Sequence, residues 1–215
     1  QPDVSGLSVD LVIQLKDEAT VEVRTQNGEV RLLDTMGGCR VVSQSGDIHV
    51  RGLRGPIEVT TQNGDIRLED CESPSGLVET KHGDVTLLRA KGNFNARTAS
   101  GDIRGRECSG STYSVESVSG DVSIDFFEPV RGTVNVRTVN GNSEVFVDAA
   151  SDCRVSVSTL RGNVDSDLSL ADEVKSEQRV TGRLGDGNGV LDLSGVNGDV
   201  ALRMRDSKVT DGQSQ

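Results

Sequence analysis

The stretch "TTQNGDIRLED", Thr60 to Asp70, recurs in variants along the chain: "RTQNGEVRLLD" from Arg24, "VSQSGDIHVRG" from Val42, "RTASGDIRGRE" from Arg97 and "ESVSGDVSIDF" from Glu116. Anchored on its glycine, the motif falls at Gly28, Gly46, Gly64, Gly83, Gly101, Gly120, Gly141, Gly162 and Gly198. The intervals are 18, 18, 19, 18, 19, 21, 21 and 36 residues, the last close to two periods. A repeat of this length constrains the fold more than any other feature. Each unit is too small to bury its own apolar face and must stack on its neighbours.

Columns read relative to the glycine define the unit. Five residues before it stand Val23, Val41, Val59, Val78, Ala96, Val115, Val136, Val157 and Leu193. Two after it stand Val30, Ile48, Ile66, Val85, Ile103, Val122, Ser143, Val164 and Val200. Apolar, β-branched residues at period two on both sides predict strands with one buried face. Asn-Gly and Ser-Gly also suit hairpins, which would give an antiparallel meander. The two arms differ consistently, however, and each position keeps its chemistry over nine repeats, as parallel coils require. The expected fold is all-β, a parallel β-solenoid of about nine coils with an 18–21-residue period, its equivalent positions stacked about 4.8 Å apart.

The motif itself reads as the corner of the coil. Three residues before the glycine runs a hydroxyl column, Thr25, Ser43, Thr61, Thr80, Thr98, Ser117, Thr138 and Thr159. It shares the parity of the buried valines, so it points inward and bonds backbone at the bend. The glycine permits positive φ or close backbone approach. The residue after it is Asp or a near relative at every corner, suited to capping backbone N–H groups. Residues 1–204 form one domain. Within it, 1–20 read as an N-terminal cap strand (Val9, Leu11, Ile13 and Leu15 alternate) and 165–189 as a loop or hairpin excursion before the last coil. Residues 205–215 are expected to be a disordered tail.

Composition limits the partners. Hydrophobic residues are 33% and aromatics 2% of the chain, with no Trp, so the core is a narrow layer of Val, Ile and Leu. A net charge of −11 argues against nucleic acid as a partner and disfavours anionic membranes. No apolar run reaches the roughly 18 residues of a spanning helix.

The lead-in strand before "VEVRTQNGEVRL", the tandem "SGDI/NGDI" corners, and the closing order "VSTLRGNVDSDLSL" then "VTGRLGDGNGVLDLSGVNGDVAL" carry a resemblance. Over about residues 7–204 the chain resembles a bacterial adhesin-like family of β-strand-repeat proteins, a domain of unknown function. The resemblance implies a β-solenoid, export or attachment to the cell envelope or surface, and no catalytic residues to carry over.

Three groups of residues are candidates for chemistry. Asp47, Asp65, Asp84, Asp102 and Asp121 should stand one strand spacing apart, near the separation used by retaining glycosidases. Yet a column present in almost every coil reads as turn capping, with calcium bridging of neighbouring carboxylates as the metal alternative. Outward Arg31, Arg67 and Arg104, with His49 among them, form a basic stripe expected to pair with neighbouring carboxylates. Cys39, Cys71 and Cys108 lie in apolar columns, and Cys71 and Cys108, two coils apart, are too distant for a disulfide. Cys71 and Cys108 share their column with Leu53, Ala90 and Phe127. The reading is therefore a non-enzymatic, cofactor-free binding or scaffolding module of the envelope, its partner a surface protein or glycan and homo-oligomers possible. The alternatives are a polysaccharide-acting enzyme using a pair such as Asp84 and Asp102, and an intracellular scaffold that polymerises end to end.

Overall fold

A computed structural model describes residues 11–14 and 20–205, the former by backbone alone. The tail expected to be disordered lies almost wholly outside the described residues, as do Val9 and Leu15. Among the described residues every regular element is a strand. The apolar column before the glycine stacks as one parallel sheet, with Val23, Val41, Val59, Val78, Ala96, Val115 and Val136 in mutual register. The column after the glycine stacks as a second, with Val30, Ile48, Ile66, Val85, Ile103, Val122 and Ser143 in register. The fold is thus the parallel β-solenoid that the columns predict, with about seven successive turns of about 19 residues.

Three corners close each coil. At the first, all nine anchor glycines have positive φ, from 113° at Gly28 to 152° at Gly83. A Cβ on Gly64 would overlap the Gly46 carbonyl oxygen, and the same overlap recurs up the rod. At the second corner, six residues after the glycine, Asp34, Gly52, Asp70, Arg89 and Glu107 occupy the left-handed region with φ of 50–67°. The third corner has its own glycine column, whose members Gly92, Gly110, Gly132 and Gly189 each press on backbone of a neighbouring coil.

Between the corners the core is a single layer of aliphatic side chains, with one aromatic stack. Phe94 lies 5.7 Å from Tyr113, which lies 5.1 Å edge-on from Phe126. Here the columns need correcting. Phe126, not Phe127, pairs with Cys108, and Phe127 is 55% exposed. The cause is a register shift between Gly105 and Cys108, where Glu107 makes a left-handed bulge that the next coil lacks.

The order of the last two coils also departs from chain order. The Gly162 coil, Cys153–Arg161 and Val164–Ser166, does not pair with the Gly141 coil that precedes it. After it, Arg179–Leu184 lies antiparallel to Cys153–Arg161, and Ala171–Ser176 completes a hairpin at the end of that sheet. The chain then returns. Gly189–Asn197 pairs with Thr133–Asn140 on one side and Cys153–Arg161 on the other. Val200–Met204 likewise sits between Ser143–Val147 and Val164–Ser166. The Gly198 coil is therefore the penultimate rung and the Gly162 coil the last. At the far end the outermost strand, Ala171–Ser176, is fully exposed, carries Asp172, Glu173 and Lys175, and is bulged between Ala171 and Val174. Charge and a bulge are the usual protection of a sheet edge against further pairing.

Candidate functional site

The Asp column is the first candidate, and its geometry assigns it to the corner. Asp47 Oδ1 accepts the backbone N–H of Asp65 at 2.8 Å, and Asp65 Oδ1 that of Asp84 at 2.7 Å. Asp84 Oδ1 takes Asp102 N–H, Asp102 Oδ1 takes Asp121 N–H, and Asp121 Oδ1 takes Asn142 N–H. Beyond that the ladder runs from Asn142 to Asp199 to Asn163, again placing the Gly198 coil before the Gly162 coil. Each carboxylate thus satisfies a donor that the stacked corner would otherwise orphan. Because Asn142 does the same work, Asp102→Asn is expected to cost less than about 1 kcal/mol. Asp102→Ala should cost about 1–3 kcal/mol by stranding the Asp121 N–H. Urea unfolding of the two variants checks the difference.

The hydroxyl column completes the corner from inside. Thr80, Thr98 and Ser117 donate to the carbonyls of Gly64, Gly83 and Gly101 at 3.1, 3.1 and 3.2 Å. Thr138 is the exception: its hydroxyl is buried without a hydrogen-bond partner among the described residues, as is that of Ser143, which stands in the apolar column after the glycine. Their register partners in the returning coil are Gly195 and Val200, so the break in the pattern lies at the inserted rung.

The basic stripe is paired. Arg31 binds Glu29 at 2.6 Å, and Arg104 reaches both Asp84 and Asp102, at 3.1 and 2.5 Å. Glu69 is a hub, with Arg89 at 3.0 Å and Arg67 and His49 at 3.6 Å. Desolvation works to raise the Glu69 carboxyl, but Arg67 and Arg89 outweigh it and hold the group below its ordinary value of 4.5. The Arg89 hydrogen bond holds Asp70 below 3.8 in the same way. Depressed folded values mean that the unfolded chain takes up these protons first. Their stabilisation is complete above about pH 4.5 and is lost as pH falls through the folded values. The melting temperature should be insensitive to Asp70→Asn below those values and lower in the variant at neutral pH. Asp70 is exposed to solvent, so the effect of its variant is modest.

The other candidates are structural. Cys39, Cys71, Cys108 and Cys153 are free and buried, and burial pushes the Cys39 and Cys108 thiols up to about 12. His49 lies beside Glu69, and no group of three or more His, Cys, Asp or Glu among the described residues is placed to hold a metal ion. No described helix is long and apolar enough to cross a membrane.

Two surface hollows were not evident from the columns. One, of about 700 Å³, runs along the third side over the glycine corner, between Glu72 and Lys91 at one end and Glu128 and Arg131 at the other. Its signal in the sequence was the second glycine series, Gly92, Gly110 and Gly132, which floors it without side chains. The other, of about 390 Å³, lies beside the first corner around Ala99 and Val118.

These features define a class: a single-layer parallel β-solenoid whose corner carboxylates and hydroxyls are used in stacking. The chain belongs to the Toastrack DUF4097 family, whose model matches residues 4–147 and 57–203 in two overlapping segments. No curated protein and no solved structure matches it.

Proposed function

We propose that the protein is a non-enzymatic, adhesin-like binding or scaffolding module of the cell envelope or surface, with a surface protein or glycan as its partner. The observation that carries this reading is the Asp ladder. The Asp column raised as the catalytic candidate is engaged rung by rung with backbone N–H groups, and Arg104 pairs with both Asp84 and Asp102. What remains open is surface, above all the trench on the third side, which is long, backbone-floored and rimmed by charges of both signs. Such a trench suits an extended ligand lying along the rod.

Binding to a panel of cell-wall and surface glycans, with calcium and with chelator, tests the reading. Binding is expected to survive chelation and to weaken when Lys91 and Arg131 are changed to Glu. Binding that requires calcium would move the Asp ladder from stacking to function. Release of reducing sugar that disappears in Asp84→Asn would establish the polysaccharide-acting enzyme instead. End-to-end polymerisation is disfavoured at the hairpin end by its bulged, charged edge strand.

A further inference from the structure

Two residues before the corner glycine, the side chain points outward on the sheet that precedes the corner. In the N-terminal half this column is polar: Gln26, Gln44, Gln62 and Lys81, all exposed. In the second half it turns aliphatic: Ala99, Val118 and Val139, then Val196 and Leu160. The register sets this order, because Asn140 pairs with Asn197, and Asn197 with Arg161. In chain order Leu160 and Val196 are reversed and separated by the hairpin. Only insertion of the returning coil makes the five a continuous stripe. Val118 is 48% and Leu160 69% exposed, Ala99 is exposed, and Val139 and Val196 are half-buried. Single exposed aliphatics are ordinary, but five stacked on consecutive rungs are a patch.

Two further features bear on what covers it. The hollow at Ala99, between Lys81 and Val118, is where the smallest member of the column leaves room for a bulky apolar anchor. At the other end the flanks are cationic. Arg137 and Arg161, both exposed, form no ion pair among the described residues, while Arg97 beside Ala99 is bound to Glu79 and Glu116. Unpaired arginines beside an apolar stripe, on a chain of net charge −11, call for carboxylates from the partner.

We infer that the Ala99–Val118–Val139–Val196–Leu160 stripe docks an amphipathic helix of a partner protein, its apolar ridge flanked by acidic residues. This rests on the binding-module reading and names one partner surface for it. A helix fits better than an added strand, because the backbone N–H and C=O groups along the flank are already paired between rungs. Five rungs span about 19 Å, the length of about 13 helical residues.

The probe is a labelled synthetic helix of about 14 residues, with leucines on one face and glutamates flanking them, beside a twin carrying lysines for the glutamates. Fluorescence anisotropy is expected to show binding of the glutamate peptide alone. Val118→Gln with Leu160→Gln, which extends the Gln of the same column, should weaken it about tenfold or more at unchanged melting temperature. Arg137→Glu with Arg161→Glu should transfer the preference to the lysine peptide. The proposal is overturned if neither peptide binds, if both bind alike, or if the Gln variant binds as well as the parent. Self-association lost on Leu160→Gln, without peptide binding, would identify a second copy as the occupant and overturn it too. Leu160-dependent uptake by zwitterionic or anionic vesicles would do the same in favour of a membrane. Glycan binding retained in the Gln variant would separate failure of this inference from failure of the binding-module reading.

Discussion

Gly101→Ala is expected to destabilise the protein by about 3–5 kcal/mol, enough to prevent accumulation of folded protein at physiological temperature. The residue has φ of 144°, a region in which an L side chain costs about 1–3 kcal/mol. A Cβ would also overlap the Gly83 carbonyl oxygen and crowd Asp84 Oδ1, so the rungs must separate, adding about 1–3 kcal/mol of overpacking. Separation would also stretch the Asp102 and Asp121 hydrogen bonds at the same corner. The second corner supplies the contrast. Glu107, with φ of 54°, is already a strained non-glycine, and its column carries Gly52 in another coil. Glu107→Gly should therefore change stability by less than about 1 kcal/mol. Urea midpoints of the two variants measured together decide the matter. Equal losses would mean that the first corner is not the close approach between layers.

Ending the chain after Asn188 should do far more than remove a terminal repeat. It deletes the penultimate rung, leaving the Gly162 coil and its hairpin without their parallel neighbours. Hydrogen exchange is expected to show loss of protection throughout residues 153–184, while the rungs from Gly46 to Gly101 keep theirs. In the intact protein, amides of 189–204 should be protected like those of the middle of the rod, although they are the last described strands. Full protection of 153–184 in the truncated chain would show that the Gly141 and Gly162 coils can close directly on one another, and would refute the insertion.

The repeat makes the rung legible and leaves the order of rungs illegible. Val59 and Val78 face the same surroundings, one coil apart, so the sequence repeats what the structure repeats. The same equivalence hides the insertion. Asn142, Asp199 and Asn163 each offer one oxygen to the next rung, and nothing in their chemistry ranks one neighbour above another. Consecutive elements usually lie adjacent, and that expectation fails here. Phe127 leaves its counted column because the second corner varies in length, so register is lost about six residues past the glycine. The pairing of the basic stripe is legible from its acidic surroundings, and Arg104 pairs with the Asp column itself. The apolar stripe is not legible in the sequence because it exists only in spatial order, with Leu160 and Val196 exchanged.

The returning coil also gives the rod a mechanical polarity. Traction applied at Arg205 loads Val200–Met204, which is bonded to a strand on each side and must shear past both at once. Arg205 adds its own cross-links, from its N–H to the Val147 carbonyl, from its guanidinium to Asp125 and the Phe127 carbonyl, and over the Phe127 ring. An outermost strand held on one side peels one bond after another under far less force. Load entering through this end of the chain is therefore carried by several rungs together, as by a dovetailed joint.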